Sequence, residues 1–174
     1  MGDYALELSL ADDDEAAVVA QWQALRAAGL PSQADHRTMT NAPHCCLVVA
    51  RTLPPGLARH AAGLLGPLLP TPLAVRGLLV LGEGPRVTLA HLVEPAPDVA
   101  AAVDEVRRAA LAAGAPVRHP VWTPHVTLAR RVPRARVPDA WAALAAVPAP
   151  RTLAATRLRW WDPDAGAIDT IASA

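Results

Sequence analysis

Residues Tyr4 to Leu10 alternate apolar and polar side chains, the two-residue period of a strand with one buried face. From Asp12 the period lengthens: Val18, Val19, Trp22 and Leu25 recur at helical spacing, and Gly29 marks a stop. Asp12 is expected as the N-cap of this helix, with Glu15 completing a capping box. The acids between them then stabilise the positive end of the helix dipole rather than bind a metal. The polar stretch 30–43 reads as a loop, and His44 to Arg51 as a strand. Pro54-Pro55 opens a helix with Leu57, Leu64, Leu65 and Leu68 as its apolar positions, ended by Pro67 and Pro70. Strands near 73–81 and 86–93 flank Gly82-Glu83-Gly84-Pro85, a hairpin-like turn. Pro97 opens a helix with Val99, Val103 and Val106 on one face and Gly114 closing it. A strand over 125–131, a short helix from Pro138 with Trp141 and Leu144, and strands near 152–160 and 167–172 complete the chain.

This order mixes strands and helices without regular βαβ spacing and without a glycine-rich phosphate loop, which indicates an α+β fold. A chain of 174 residues, 52% of them hydrophobic, suits one folded domain over 1–174. Sixteen basic and sixteen acidic residues cancel, which argues against a protein that coats duplex DNA or an anionic membrane. Every basic residue is Arg, so Schiff-base chemistry and a P-loop lysine are excluded. Cys45 and Cys46 are adjacent, too strained for a disulfide and no secreted framework. No apolar run approaches the roughly 20 residues of a membrane span. Asp3 and Glu7 stand where a signal peptide would be positive. A cytoplasmic monomer is the expectation.

The chain carries a long-range echo. Pro43-His44-Cys45-Cys46-Leu47 and Pro124-His125-Val126-Thr127-Leu128 each begin a strand after a proline, one in each half. The echo implies two lobes of related design meeting at a shared centre. Strand periodicity puts His125 and Thr127 on one face with Val126 and Leu128 in the core; equally, His44 and Cys46 share a face while Cys45 and Leu47 point inwards. Two imidazoles across one groove can serve as general base and general acid, because an ordinary pKa near ~6.5 lets one be neutral and the other charged. The Thr127 hydroxyl is placed to meet a phosphate oxygen.

These paired motifs, the second reading His125-Val126-Thr127-Leu128-Ala129-Arg130, resemble those of the 2H phosphoesterase superfamily, in particular its 2′-5′ RNA ligase and cyclic phosphodiesterase branch. The resemblance implies a bilobed α+β protein with two pseudo-symmetric antiparallel sheets, helices outside and the active cleft between the lobes. It also implies catalysis without a metal or cofactor. On it, His44 and His125 are the catalytic pair, Thr127 the phosphate-binding hydroxyl and Arg130 the basic residue that follows the motif. The implied activity is hydrolysis of a cyclic phosphodiester, a 2′,3′-cyclic phosphate on a nucleotide or RNA end, with reversible 2′-5′ RNA ligation when an RNA hydroxyl replaces water as the nucleophile. Cys46 departs from the pattern: a thiol stands where the family has Thr or Ser, and it is the weaker donor to phosphate.

Other residues are open to two readings. His36, in the polar loop, either lines the cleft or is an ordinary surface histidine, and Trp122 either stacks on a base or packs in the core. His60, His91 and His119 have no partner at a telling spacing, and the histidines and cysteines form no zinc pattern along the chain. Seven arginines lie between Val106 and Pro138 with no acid, either a basic rim for a polyanion or ordinary solvated faces. The alternative to an enzyme is a binding module that holds a nucleotide or RNA end in the same cleft without turnover.

Overall fold

Strand β1 (Tyr4–Leu10) is buried on both faces: Leu6, Leu8 and Leu10 on one, and Ala5, Glu7 and Ser9 on the other. The structure, a computed structural model, describes residues 2–36 and 41–174, so positions 37–40 of the loop expected over 30–43 lie outside the described residues. β1 is flanked by β2 (His44–Ala50) and β6 (Thr152–Asp162), and β7 (Ala167–Ser173) adds to the far side of β6, all antiparallel. β3 (Thr71–Leu81), β4 (Arg86–Pro95) and β5 (His125–Pro133) form the second lobe's sheet.

The two sheets share edges. β2 meets β5 through the pair Cys45↔Val126, and Thr71–Ala74 of β3 pair with residues 152–155 of β6. The order β1-β2-β5-β4-β3-β6-β7, with β1 also paired to β6, therefore joins the expected two sheets into one network.

Helices α1 (Asp12–Ala27) and α4 (Val137–Ala145) pack together, α1 also against β5; α2 (Leu57–Leu65) and α3 (Pro97–Ala112) pack together near β2, β6 and β7. Val18, Trp22 and Leu25 of α1 and Val99, Val103 and Val106 of α3 are buried, as their spacing requires. Among the described residues no helix is long and apolar enough to cross a bilayer.

Three local expectations are corrected. Ala11, not Asp12, is the N-cap of α1, and no side chain caps it. The acids instead tie the helix start to β6: Asp14 Oδ2 accepts from the Ala154 amide at 2.7 Å, and Asp12 pairs with Arg157 at 3.1 Å. Helix α2 begins after Gly56, whose φ of 85° suits only glycine well, and ends at Leu65, ahead of Pro67. On α4 Leu144 is buried, with Ala140, but Trp141 is exposed.

Candidate active site

The pair Cys45↔Val126 sets how the two echoed motifs meet. Both side chains are fully buried in the core. One step either side, antiparallel pairing sets Cys46 beside His125 and His44 beside Thr127 on the opposite face. β1 contributes Glu7 next to Cys46 and Ser9 next to His44, and β6 contributes Arg159 and Arg157. Two rows of polar side chains thus cross four strands: Arg159, Glu7, Cys46, His125, and Arg157, Ser9, His44, Thr127.

The two imidazoles are anchored in the same way. His44 Nδ1 donates to the Ala42 carbonyl at 2.7 Å, and His125 Nδ1 to the Thr123 carbonyl at 2.7 Å. In each ring Nε2 is left for other work. That of His44 lies 3.3 Å from Glu7 Oε2. Glu7, itself buried, has its other oxygen 2.6 Å from Arg159 Nη2, off the line of a good hydrogen bond, and Arg159 Nε has no partner. Ser9 Oγ is also buried without a partner.

These surroundings push the histidines apart. Burial opposes charge on His44, but the charge and hydrogen bond of Cys46, then Glu7 and the Ala42 carbonyl, outweigh it and raise the pKa to about 9. For His125 burial dominates and lowers the pKa; the Thr123 carbonyl works against that, while His44, Arg130 and His119 add to it.

A cleft of about 680 Å³ runs beside this face. His125, Thr127, Cys46, Arg130 and Trp122 line it, together with His119 and Arg118. His44 does not belong to that wall; it sits two residues along β2 from Cys46 with Nε2 turned to Glu7. His36, exposed after the short turn Gln33–Asp35, is not part of the wall either. Trp122 is half-buried and fixed, its indole N–H donating to the Cys46 carbonyl at 2.9 Å.

The basic rim is thinner than the sequence suggests. Arg107 is buried and donates to the carbonyls of Leu47, at 2.7 Å, and His119. Arg108 and Arg136 pair with Glu105 and Asp139, and Arg134 bonds the carbonyls of Gly82 and Gly84. Arg118 pairs with Asp3, which leaves Arg130 as the cleft arginine on the motif strand.

Sequence reasoning missed Glu7, Ser9, Arg159 and His119. Glu7 and Ser9 had a signal: they are the polar positions of a strand whose apolar positions are Leu6, Leu8 and Leu10. Glu7, His44 and Cys46 bring one ligand atom each within 4.8 Å of one another, so they could hold a metal ion, a grouping from two strands that spacing along the chain does not reveal.

The chain is thus an α+β molecule with two antiparallel lobes and paired Pro-His strands at their junction. Usb1 from Kluyveromyces marxianus superposes with a TM-score of 0.57 at 14% identity, covering 98% of both chains. A structure described as a phosphoesterase gives 0.56 at 18% identity, covering 97% of this chain and 93% of that one. Escherichia coli LigT complexed with 3′-AMP gives 0.54 at 15% identity, covering 97% and 92%. At these identities the likeness is one of fold. The model of the 2′-5′ RNA ligase superfamily matches residues 13–167, and the chain belongs to that family. No curated protein matches the sequence.

Proposed function

We propose that this protein is a single-domain, cytoplasmic phosphoesterase, working as a monomer, that opens a 2′,3′-cyclic phosphate on a nucleotide or RNA end with His44 and His125 as its acid–base pair. The observation that carries this reading is the matched anchoring of the two imidazoles on paired strands, with a hydroxyl and an arginine beside one of them. No metal takes part in the step. His125, with no carboxylate against it among the described residues, takes a proton from water as the water oxygen bonds to phosphorus. His44, whose Nε2 faces Glu7, gives a proton to the ribose oxygen as its bond to phosphorus breaks, leaving a phosphomonoester and a free hydroxyl. Thr127 and Arg130 hold the phosphoryl oxygens where charge builds, with weaker help from Cys46. Trp122 offers a fixed ring for a base. The fold relative LigT complexed with 3′-AMP supports a nucleotide as ligand. With an RNA 5′-hydroxyl in place of water as nucleophile, the same ring opening is 2′-5′ ligation, the 3′ oxygen leaving with the proton from the acid.

A second reading, a nucleotide-binding module, is favoured by Cys46 and by the Glu7 carboxylate 3.3 Å from His44 Nε2. The two are separated by assaying the purified protein against 2′,3′-cyclic nucleotides with chelator present. Turnover supports the enzyme; binding of the same nucleotides without turnover supports the module.

A further inference from the structure

The two sides of the candidate active site are chemically unlike. Beside His125, Thr127 and Arg130 offer a hydroxyl and a guanidinium, which suit phosphoryl oxygens. Around His44 Nε2 the neighbours are a carboxylate and a thiol, groups that suit a cation. With the Nδ1 proton of His44 committed to the Ala42 carbonyl, a neutral ring would set the Nε2 lone pair against Glu7 Oε2, an acceptor against an acceptor at 3.3 Å. A positive charge resolves that contact, and either a proton or a metal ion can supply it.

The spacing suits a metal. Ligand atoms about 2.1 Å from a tetrahedral ion lie roughly 3.4 Å apart, close to the separation of Nε2 and Oε2. Cys46 Sγ completes a group whose three ligand atoms all fall within 4.8 Å. The Arg159 guanidinium lies against Glu7 Oε1, which leaves Oε2 as the single ligand oxygen. The bond from His44 Nδ1 to a backbone carbonyl is the outer support that metal-binding imidazoles commonly have. Nitrogen, oxygen and sulfur together select a thiophilic ion and exclude magnesium or calcium as the preferred occupant.

We propose that Glu7, His44 and Cys46 form a binding site for a thiophilic divalent cation of the zinc class. Binding displaces the protons of the thiol and of His44 Nε2. Occupancy therefore removes His44 from acid–base work and switches the phosphoesterase off. That consequence rests on the function proposed above; the binding itself rests on geometry alone.

The test is titration of the metal-free, full-length protein with cobalt(II), a spectroscopic stand-in for zinc. One equivalent should bind with a near-ultraviolet sulfur-to-cobalt band and tetrahedral visible bands, both lost on adding zinc. Cys46→Thr should remove the sulfur band and weaken binding at least about a hundredfold, beyond what outer-shell changes cause. Glu7→Gln should weaken binding roughly tenfold or more. If Cys46→Thr shows no cooperative melt, Cys46→Ala takes its place. No sulfur band at saturating cobalt, or a band that persists without Cys46, overturns the site. Turnover is read separately: inhibition by zinc, reversed by chelator, supports the switch, and undiminished turnover of the zinc-loaded protein overturns it. A sulfur band in a protein with no turnover under any condition leaves the site standing and overturns the phosphoesterase reading.

Discussion

His44 and His125 are held by the same device: each ring donates from Nδ1 to the carbonyl two residues earlier, at 2.7 Å in both cases. The accepting residues, Ala42 and Thr123, each precede a proline, Pro43 or Pro124. A residue before proline is driven into extended conformations, so its carbonyl is aimed before the histidine arrives. The bond fixes the tautomer and leaves Nε2 for chemistry.

Relaxing that device should cost rate rather than binding. Pro124→Gly frees Thr123 to turn its carbonyl away, and Pro43→Gly does the same for Ala42. Either should lower kcat by roughly 10- to 100-fold, the scale on which small misplacements of a reacting group act. KM should change little. Steady-state kinetics on a 2′,3′-cyclic nucleotide check this, and a change confined to KM would refute it.

The two adjacent cysteines should separate function from stability. Cys46→Thr restores a hydroxyl in nearly the same volume; one better hydrogen bond to a charged oxygen, about 1.5–3 kcal/mol, corresponds to roughly a tenfold to hundredfold gain in turnover. Cys45 is fully buried, and burial pushes its thiol up to about 12. Cys45→Ser should cost about 1–3 kcal/mol in a denaturant melt and leave the kinetics alone. Turnover lowered by Cys46→Thr and abolished by Cys46→Ala would mean that the thiol itself reacts.

Arg107 ties α3 to β2 and to the segment that carries His119 and Trp122. Its bonds to the carbonyls of Leu47 and His119 make it a structural residue inside what looks like a basic rim. Arg107→Leu leaves two carbonyls without their charged donor and should cost at least about 2 kcal/mol in the same melt. Arg108→Leu, which removes only an exposed ion pair with Glu105, should stay within about 1 kcal/mol of the parent.

His91 gives stability a pH dependence. It is buried, its Nε2 is 2.7 Å from Gln21 Oε1, its Nδ1 has no partner, and burial lowers its pKa. The unfolded chain, with a pKa near ~6.5, binds this proton more readily than the folded one. The contribution is therefore complete above pH ~6.5 and is lost as pH falls from there toward the folded pKa. His91→Gln keeps a donor for Gln21 but cannot titrate. Denaturant midpoints between pH 7.5 and 5 should fall less steeply for the variant; an unchanged slope would show that His91 is not the group responsible.

The strands and helices were legible because each has a clean period and proline or glycine punctuation. The echo at His44 and His125 located the junction of the lobes from one chain alone. What escaped depends on contacts across sequence distance. Glu7 reads as an acid on the solvent side of a half-buried strand, yet β1 lies between β2 and β6 and is buried on both faces, so Glu7 comes to His44. Asp12 has the spacing of a cap, but Arg157 and the Ala154 amide on β6 compete for the acids of that turn. Arg107 looks like its six neighbouring arginines, and only packing of α3 on β2 separates it. His119 enters the cleft because Arg107 and the Ala50↔Val117 bridge hold its segment there.

The central claim is that His44 and His125 act as one unit on a cyclic phosphodiester. Its most direct test is the rate of 2′,3′-cyclic nucleotide opening, with chelator present, by the parent protein, His44→Ala, His125→Ala and the double variant. Each single substitution should lower kcat by ~10²-fold or more, and the double should be little worse than the poorer single. Full turnover by either single variant, or losses that simply multiply in the double, would contradict the assignment.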